Sequence, residues 1–222
     1  MASWMVHLRI ADKLLDSIPA LAPVEFIVGN LAPDSGVPNE DWSVFTPDTA
    51  VSHFRTPGKK ADPDAFATKY FTQSQIKGYD EQHYSFYLGY LCHLLTDTLW
   101  SRDIARPAKT RFAHEFAEDP GFFWTIKKDW YDLDFKYLRD HPGCRAFRVY
   151  LGAVGFQNKY MDEFSPDAFD NRRDYITNFY LEGSDGLDRT YPYLTQQEMD
   201  DFVNHTASEI LDILHTEYMV KL

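Results

Sequence analysis

An all-α fold is predicted by three observations. Apolar residues recur at helical spacing along most of the chain, Pro and capping residues stand where those segments begin and end, and no run of alternating residues marks a strand. At 222 residues and 44% hydrophobic content the chain can bury a full core, and nothing in it reads as a linker. Residues 1–222 are therefore expected to form one multi-helix bundle.

Trp4, His7, Leu8, Ala11, Leu14, Leu15 and Ile18 make the first helical stripe, which Pro19 closes. "PVEFIVGN" reads as a short helix broken at Gly29 or Asn30. From Pro33 to about Pro63 the chain is rich in Pro, Asp, Ser and Thr and is expected to be a long loop, pinned to the body by Trp42 and Phe45. A helix over 63–71 precedes the strongest helical segment, about 80–104. Pro107 suits the first turn of a helix running to about Glu118, and Asp119 with Pro120 suits the start of another reaching about Arg139. Helices are also predicted over 142–160, 166–182 and 195–218, the last opened by "TQQE" at capping-box spacing. No internal repeat is present.

The charge balance is acidic: Lys plus Arg is 22 against 34 for Asp plus Glu, a formal charge of -12. Such a field repels polyanions, so stable nucleic-acid binding and docking on anionic membranes are not expected. Divalent cations in a site would reverse this locally. No run of 18 apolar residues occurs, and "MASWMVHLRIADKLL" lacks the pattern of a signal peptide. Cys92 and Cys144, without CxxC spacing, suit free thiols. A cytoplasmic location is the resulting expectation. Aromatic residues reach 16%, which suggests aromatic-lined packing or pockets.

The stretch "YLGYLCHLLTDTLW" (87–100) carries His93 and Asp97 one helical turn apart inside an apolar wall. A buried ionisable pair must be mutually satisfied or bound to a cation. Zinc takes imidazole nitrogen and carboxylate oxygen, and catalytic zinc sites keep a position open for water. His7 on the first helix, Asp34 in "GNLAPDSG" and His53 in "VSHF" are the other candidates. Each has an ordinary reading as well: a core histidine, a turn aspartate bonding its own backbone, a loop histidine. "DWYDLDF" (129–135) reads as an amphipathic helix with an acidic face, and "FDNRRDY" (169–175) could place Arg172 or Arg173 near a phosphate, though surface ion pairs of these arginines are the favoured reading. The chain has no P-loop and no GxSxG, and Cys92 is not expected to act as a nucleophile.

Taken together, His7, Asp34, His53, His93 and Asp97 follow H-x(26)-D-x(18)-H-x(39)-H-x-x-x-D, which resembles the ligand order of the bacterial zinc-dependent phospholipase C family. "FYLGYLCHLLTDTLW" is similar to that family's buried helix, and "SHF" to its loop histidine; the motifs span about residues 4–104. The resemblance implies the helical fold shared with single-strand-specific zinc nucleases and a cluster of one to three zinc ions. Asp34, His53, His93 and Asp97 would hold one ion, and Asp97 with His7 a second. Asp103, His114 and Glu118 would stand where the family has ligands for a third, with Asp in place of one His.

The family's secreted members use a processed N-terminal Trp as a ligand, whereas Trp4 is internal. The implied activity is hydrolysis of a phosphoester or phospholipid, with zinc activating water for attack on phosphorus. In that scheme Asp34 assists deprotonation, and Trp42 and Phe45 shape the pocket. The rivals are a nuclease of the same fold and a non-catalytic helical protein that uses metal for stability.

Overall fold

The computed structural model describes every residue of the chain except Trp42, Lys221 and Leu222. The pocket role expected of Trp42 thus lies outside the described residues. The fold is all-α. In chain order the helices are α1 (Trp4–Ser17), α2 (Pro23–Leu31), α3 (Thr49–Ser52), α4 (Pro63–Tyr70), α5 (Gln73–Ile76) and α6 (Glu81–Trp100). They continue with α7 (Arg106–Arg111), α8 (Ala113–Glu118), α9 (Phe122–Asp140), α10 (Arg145–Gly152), α11 (Ala168–Leu181) and α12 (Gln196–Thr216).

The axis of the molecule is α6. It is apolar around most of its circumference and therefore buried along most of its length, from Ser85 to Trp100 save Thr98. Asp80 caps it, accepting from the His83 backbone N–H at 2.7 Å. Helices α1, α2, α4 and α12 pack against it.

The contact between α2 and α6 is the closest of these, and glycine makes it possible. A Cβ on Gly29 would stand 2.2 Å from the Phe86 carbonyl oxygen, and one on Gly89 would stand 2.1 Å from that of Phe26. The two backbones thus touch where side chains would otherwise hold the helices 8–10 Å apart. The crossing fixes the Asn30 carbonyl against α6, which matters for the site below.

Several boundaries differ from expectation for local reasons. Helix α6 does not stop near 104: a widened π-type turn over Ser101–Ala105 carries it into α7. Pro107 lies two residues past that turn, and a wider turn accommodates a ring that cannot donate and that crowds the carbonyl four residues earlier. The helix expected over 107–118 is broken at Phe112 (φ -112°, ψ 32°). Asp119 forms a side-chain turn, accepting from the Gly121 N–H at 2.7 Å, so α9 begins at Phe122 and not at Pro120.

Helix α10 ends at Gly152, not near Tyr160. Gly155 has φ +75°, and Asn158 ties the following loop by donating to the Met161 and Phe164 carbonyls at 2.7 and 2.8 Å. The long loop is more ordered than the sequence suggests, containing α3 and an antiparallel pair of two-residue strands, β1 (Val37–Pro38) and β2 (Phe45–Thr46). The capping box at Thr195 and Glu198 forms as the sequence predicts.

Two expectations about polar residues are overturned. Asp129, Asp132 and Asp134 are buried, not a solvated acidic face. The Arg189 guanidinium bridges Asp129 and Asp132 at 2.7 Å, and Ser3 and Tyr180 hydroxyls donate to Asp134 at 2.9 and 2.8 Å. Arg172 and Arg173 are buried as well, because α11 turns that face inward.

Candidate metal centre

Five side chains from four places in the chain meet beside the α2–α6 crossing. His7 comes from the first turn of α1, Asp34 from the 3₁₀ turn that follows α2, His53 from the end of α3, and His93 and Asp97 from successive turns of α6. The three histidines are fully buried and Asp97 is 4% exposed. His53 Nε2 lies 3.3 Å from His93 Nε2, 3.5 Å from Asp34 Oδ1 and 3.5 Å from Asp97 Oδ2. His93 Nε2 is 3.7 Å from Asp97 Oδ2, and His7 Nε2 is 3.5 Å from Asp97 Oδ1. The His7 and His93 rings stack at 3.8 Å with an interplanar angle of 3°.

Neighbours orient each group. The Asn30 carbonyl lies 2.7 Å from His93 Nδ1 and can only accept, so Nδ1 carries the proton and the Nε2 lone pair faces the cluster. His53 Nδ1 contacts Ser52 Oγ at 3.0 Å, and the Ser52 carbonyl is held by the Tyr90 hydroxyl. Trp4 donates its indole N–H to Asp34 Oδ2 at 3.0 Å, leaving Oδ1 to face His53. The Ala2 backbone N–H donates to Asp97 Oδ1 at 2.8 Å.

The electrostatics favour the deprotonated forms. Burial pushes the His93 imidazolium down to about 3, assisted by the neighbouring His7, and the carboxylates offset this only in part. Burial lowers His53 likewise. For Asp97, burial acts upward, yet the amino terminus and the His7 and His93 imidazoles outweigh it and hold the carboxyl well below the usual range. Asp34 is lowered too: burial raises it, and His93 and His53 more than offset that. Neutral imidazoles with ionised carboxylates are the ligand forms a cation requires.

The cluster is also unsatisfied. His7 Nδ1 and Nε2 and Asp97 Oδ2 are buried without a hydrogen-bond partner. A buried, ionised carboxylate oxygen without a hydrogen-bond partner costs free energy unless a cation joins it. Two sets have ligand atoms all within 4.8 Å of one another: His7, His93 and Asp97, and Asp34, His53 and His93. In both number and chemistry, these donors fit a divalent metal of the zinc type.

Asp103, His114 and Glu118 are not brought together with them, and the three do not meet as one group. Asp103 makes a two-oxygen pair with the adjacent Arg102 at 2.6 Å. His114 and Glu118 are 3.4 Å apart on the outside of α8, with side chains 78% and 69% exposed. Among the described residues none of the three belongs to a group of three ligand-type side chains. The His-x-x-x-Glu spacing alone cannot bring distant segments together, and here Arg102 has taken Asp103.

A cavity of about 510 Å³ opens at Asp34, lined by Trp4, Phe45, Trp124, Lys127, Tyr131, Arg172 and Tyr175 among others. Phe45 is one of the residues that line this cavity. The sequence reading passed over Trp4, Asn30, Lys127 and Tyr131. Trp4 had a signal, since it precedes His7 by three positions on one face of α1. Asn30 acts through its backbone carbonyl and had none.

Fold and side chains together define an all-α protein with a buried His/Asp group able to hold a metal ion. A family model described as zinc dependent phospholipase C matches residues 6–153, and the chain belongs to that family. The matched stretch contains all five clustered residues. No curated protein and no solved structure matches the chain.

Proposed function

We propose that this protein is a metal-dependent phosphoester hydrolase of the phospholipase C type. The observation that carries the reading is the convergence of five buried or nearly buried side chains of ligand type, partly unsatisfied, one of which, Asp34, also lines a cavity large enough for a phosphoester head group. His7, Asp34, His53, His93 and Asp97 would hold zinc. Bound there, zinc supplies a Lewis acid for phosphoryl oxygen and lowers the pKa of water toward about 7.

The chain's own groups do the rest. Asp34 belongs both to the cluster and to the cavity wall, and its ionised carboxylate accepts the proton of the attacking water. Attack at phosphorus breaks the P–O bond to the leaving alcohol, whose oxygen takes up a proton. Trp4 holds Asp34 in one orientation, and the edge-on contacts of its ring with Tyr175 and Phe179, at 5.9 and 5.7 Å, fix the indole in turn. The aromatic wall limits water around the reacting phosphorus.

One observation favours a second reading: Lys127 and Arg172 share the cavity with aromatic rings, an arrangement suited to stacking nucleotides. The formal charge of -12 opposes it. Zinc-loaded protein should release phosphorylated head group from short-chain phospholipid, lose this on chelation and regain it with zinc. Cleavage of single-stranded DNA alone would establish the nuclease. Turnover of neither substrate would contradict both hydrolytic readings.

A further inference from the structure

Three arginines of this chain are buried: Arg9, Arg172 and Arg173. Arg9 is 2.5 Å from Asp200, and Arg173 pairs with Asp170 and Asp174 at 2.8 and 2.6 Å. Arg172 differs. It is 7% exposed, its Nη2 donates to the Gly36 carbonyl at 2.5 Å, and its guanidinium lies 5.3 Å from the Tyr175 ring centre. Among the described residues no carboxylate lies within 4.0 Å of it. A buried guanidinium has five donors and a full charge, and one neutral carbonyl satisfies neither.

The same cavity holds a second cation in the same condition. Lys127, half-buried on α9, rests its ammonium 5.2 Å from the ring centres of Trp124 and Tyr131, and no carboxylate is within 4.0 Å of it among the described residues. Lys127 and Asp34 line the same cavity; burial pulls the Lys127 amine below its usual value and the charge of Asp34 partly restores it. Among the described residues Asp34 is the sole acidic side chain lining the cavity. In a protein with 34 acidic residues against 22 basic ones, two cations left unpaired in one cavity require an explanation.

We infer that Lys127 and Arg172 form a recognition site for an anionic group, and that the phosphoester taken by this chain carries a second negative charge on its head group, a carboxylate or a further phosphate. Arg172 offers a planar fork suited to either anion, and Lys127 a mobile point charge beside it. A head group with only an ammonium would meet two like charges there and no carboxylate except Asp34, which is committed to the cluster. This inference rests on the phosphoester reading. Arg172 lies beyond the matched residues 6–153, so the pairing of these two cations joins the matched region to the C-terminal helices.

The test compares molecules that differ in one charged group. Dihexanoyl phosphatidylserine and dihexanoyl phosphatidylethanolamine differ by a carboxylate; dihexanoyl phosphatidylinositol and its 4-phosphate differ by a phosphate. For at least one pair, kcat/KM should favour the more anionic member by about tenfold or more, as one charge-assisted contact provides. The pair that responds identifies the anion. Lys127→Met should shrink that ratio toward one and Lys127→Glu should invert it, while Arg172→Lys, which keeps the charge, should retain most of it. Ratios near one in the native protein, or a ratio unchanged in Lys127→Met, would overturn the inference.

If no lipid is turned over, zinc-loaded protein is titrated calorimetrically with O-phosphoserine and O-phosphoethanolamine. Tighter O-phosphoserine binding that depends on Lys127 would uphold the recognition site while the hydrolytic reading falls; equal binding of these two, together with equal binding of inositol 1-phosphate and inositol 1,4-bisphosphate, would overturn it. Cleavage of single-stranded DNA faster than any lipid, and dependent on Lys127, would overturn it in favour of a polyanion.

Discussion

Two groups of buried carboxylates lie on neighbouring helices and have opposite characters. Along α9, Asp129, Asp132 and Asp134 are as buried as Asp97 is on α6. Yet each of the three is answered from within the chain. Asp129 meets Arg189 and the Tyr193 N–H at 2.7 and 2.8 Å, Asp132 meets Arg189 and Lys128 at 2.7 and 2.6 Å, and Asp134 meets two hydroxyls. Beside α6, Asp97 Oδ2 and both His7 nitrogens have no hydrogen-bond partner, and three imidazoles converge on the carboxylates at 3.5 to 3.7 Å. Burial of acids is therefore common to both regions. Unsatisfied convergence is what marks a cation site, and the exposed pair His114 and Glu118, right in spacing, has neither property.

Substitutions can break this contrast from its structural side. Asp129→Ala should have the largest effect on stability, about 3–5 kcal/mol, because it leaves the Tyr193 N–H and part of the Arg189 charge unanswered. Chemical denaturation measures this, and zinc content per folded molecule should be unchanged. A variant as stable as the native protein would show that the α9 network is idle.

Gly89→Ala comes next. Its methyl would stand 2.1 Å from the Phe26 carbonyl oxygen, so α2 and α6 must separate, at about 1–3 kcal/mol. The same shift would withdraw the Asn30 carbonyl from His93 and weaken zinc affinity by about 10–100-fold, as loss of such an orienting contact does. A competitive zinc chelator measures that affinity. Normal affinity despite lost stability would mean that the crossing does not orient His93.

The smallest effect is a pH dependence at Asp134. Burial raises its pKa to about 7, against the opposing hydrogen bonds of Ser3 and Tyr180 and the charge of Arg9. Between about 4 and 7 the native state then holds a proton that the unfolded chain has released, so this carboxyl's contribution to stability falls as pH rises through that window and stays low above it. Asp134→Asn removes the dependence. The variant's Tm relative to the native protein should be more favourable at pH 8 than at pH 4.5, and an equal difference at both would contradict the assignment.

Much of this was legible in the sequence, and the part that was not has identifiable causes. The helical period announced the bundle, and His93 with Asp97 stood out because an i,i+4 ionisable pair in an apolar helix has few harmless explanations. Helix ends were misplaced where a side chain or a proline acts locally, as at Asp119, Asn158 and Pro107. The α9 acids and Arg172 were read as solvated because charge alone says surface; apart from Lys128, four positions before Asp132, their partners lie 46 to 136 positions distant and exist only in the fold. The Asn30 carbonyl that sets the tautomer of His93 is a backbone atom, which residue type cannot announce.

The most direct test of the central claim is zinc content per chain, measured by elemental analysis on protein prepared without chelator, with His93→Ala beside it. If the clustered side chains are ligands, the native protein retains at least one zinc per chain and the variant, folded by circular dichroism, loses it. A native protein that binds no zinc even after incubation with the metal, or a variant that retains the native amount, would contradict the claim and leave the five residues as an unsatisfied polar core.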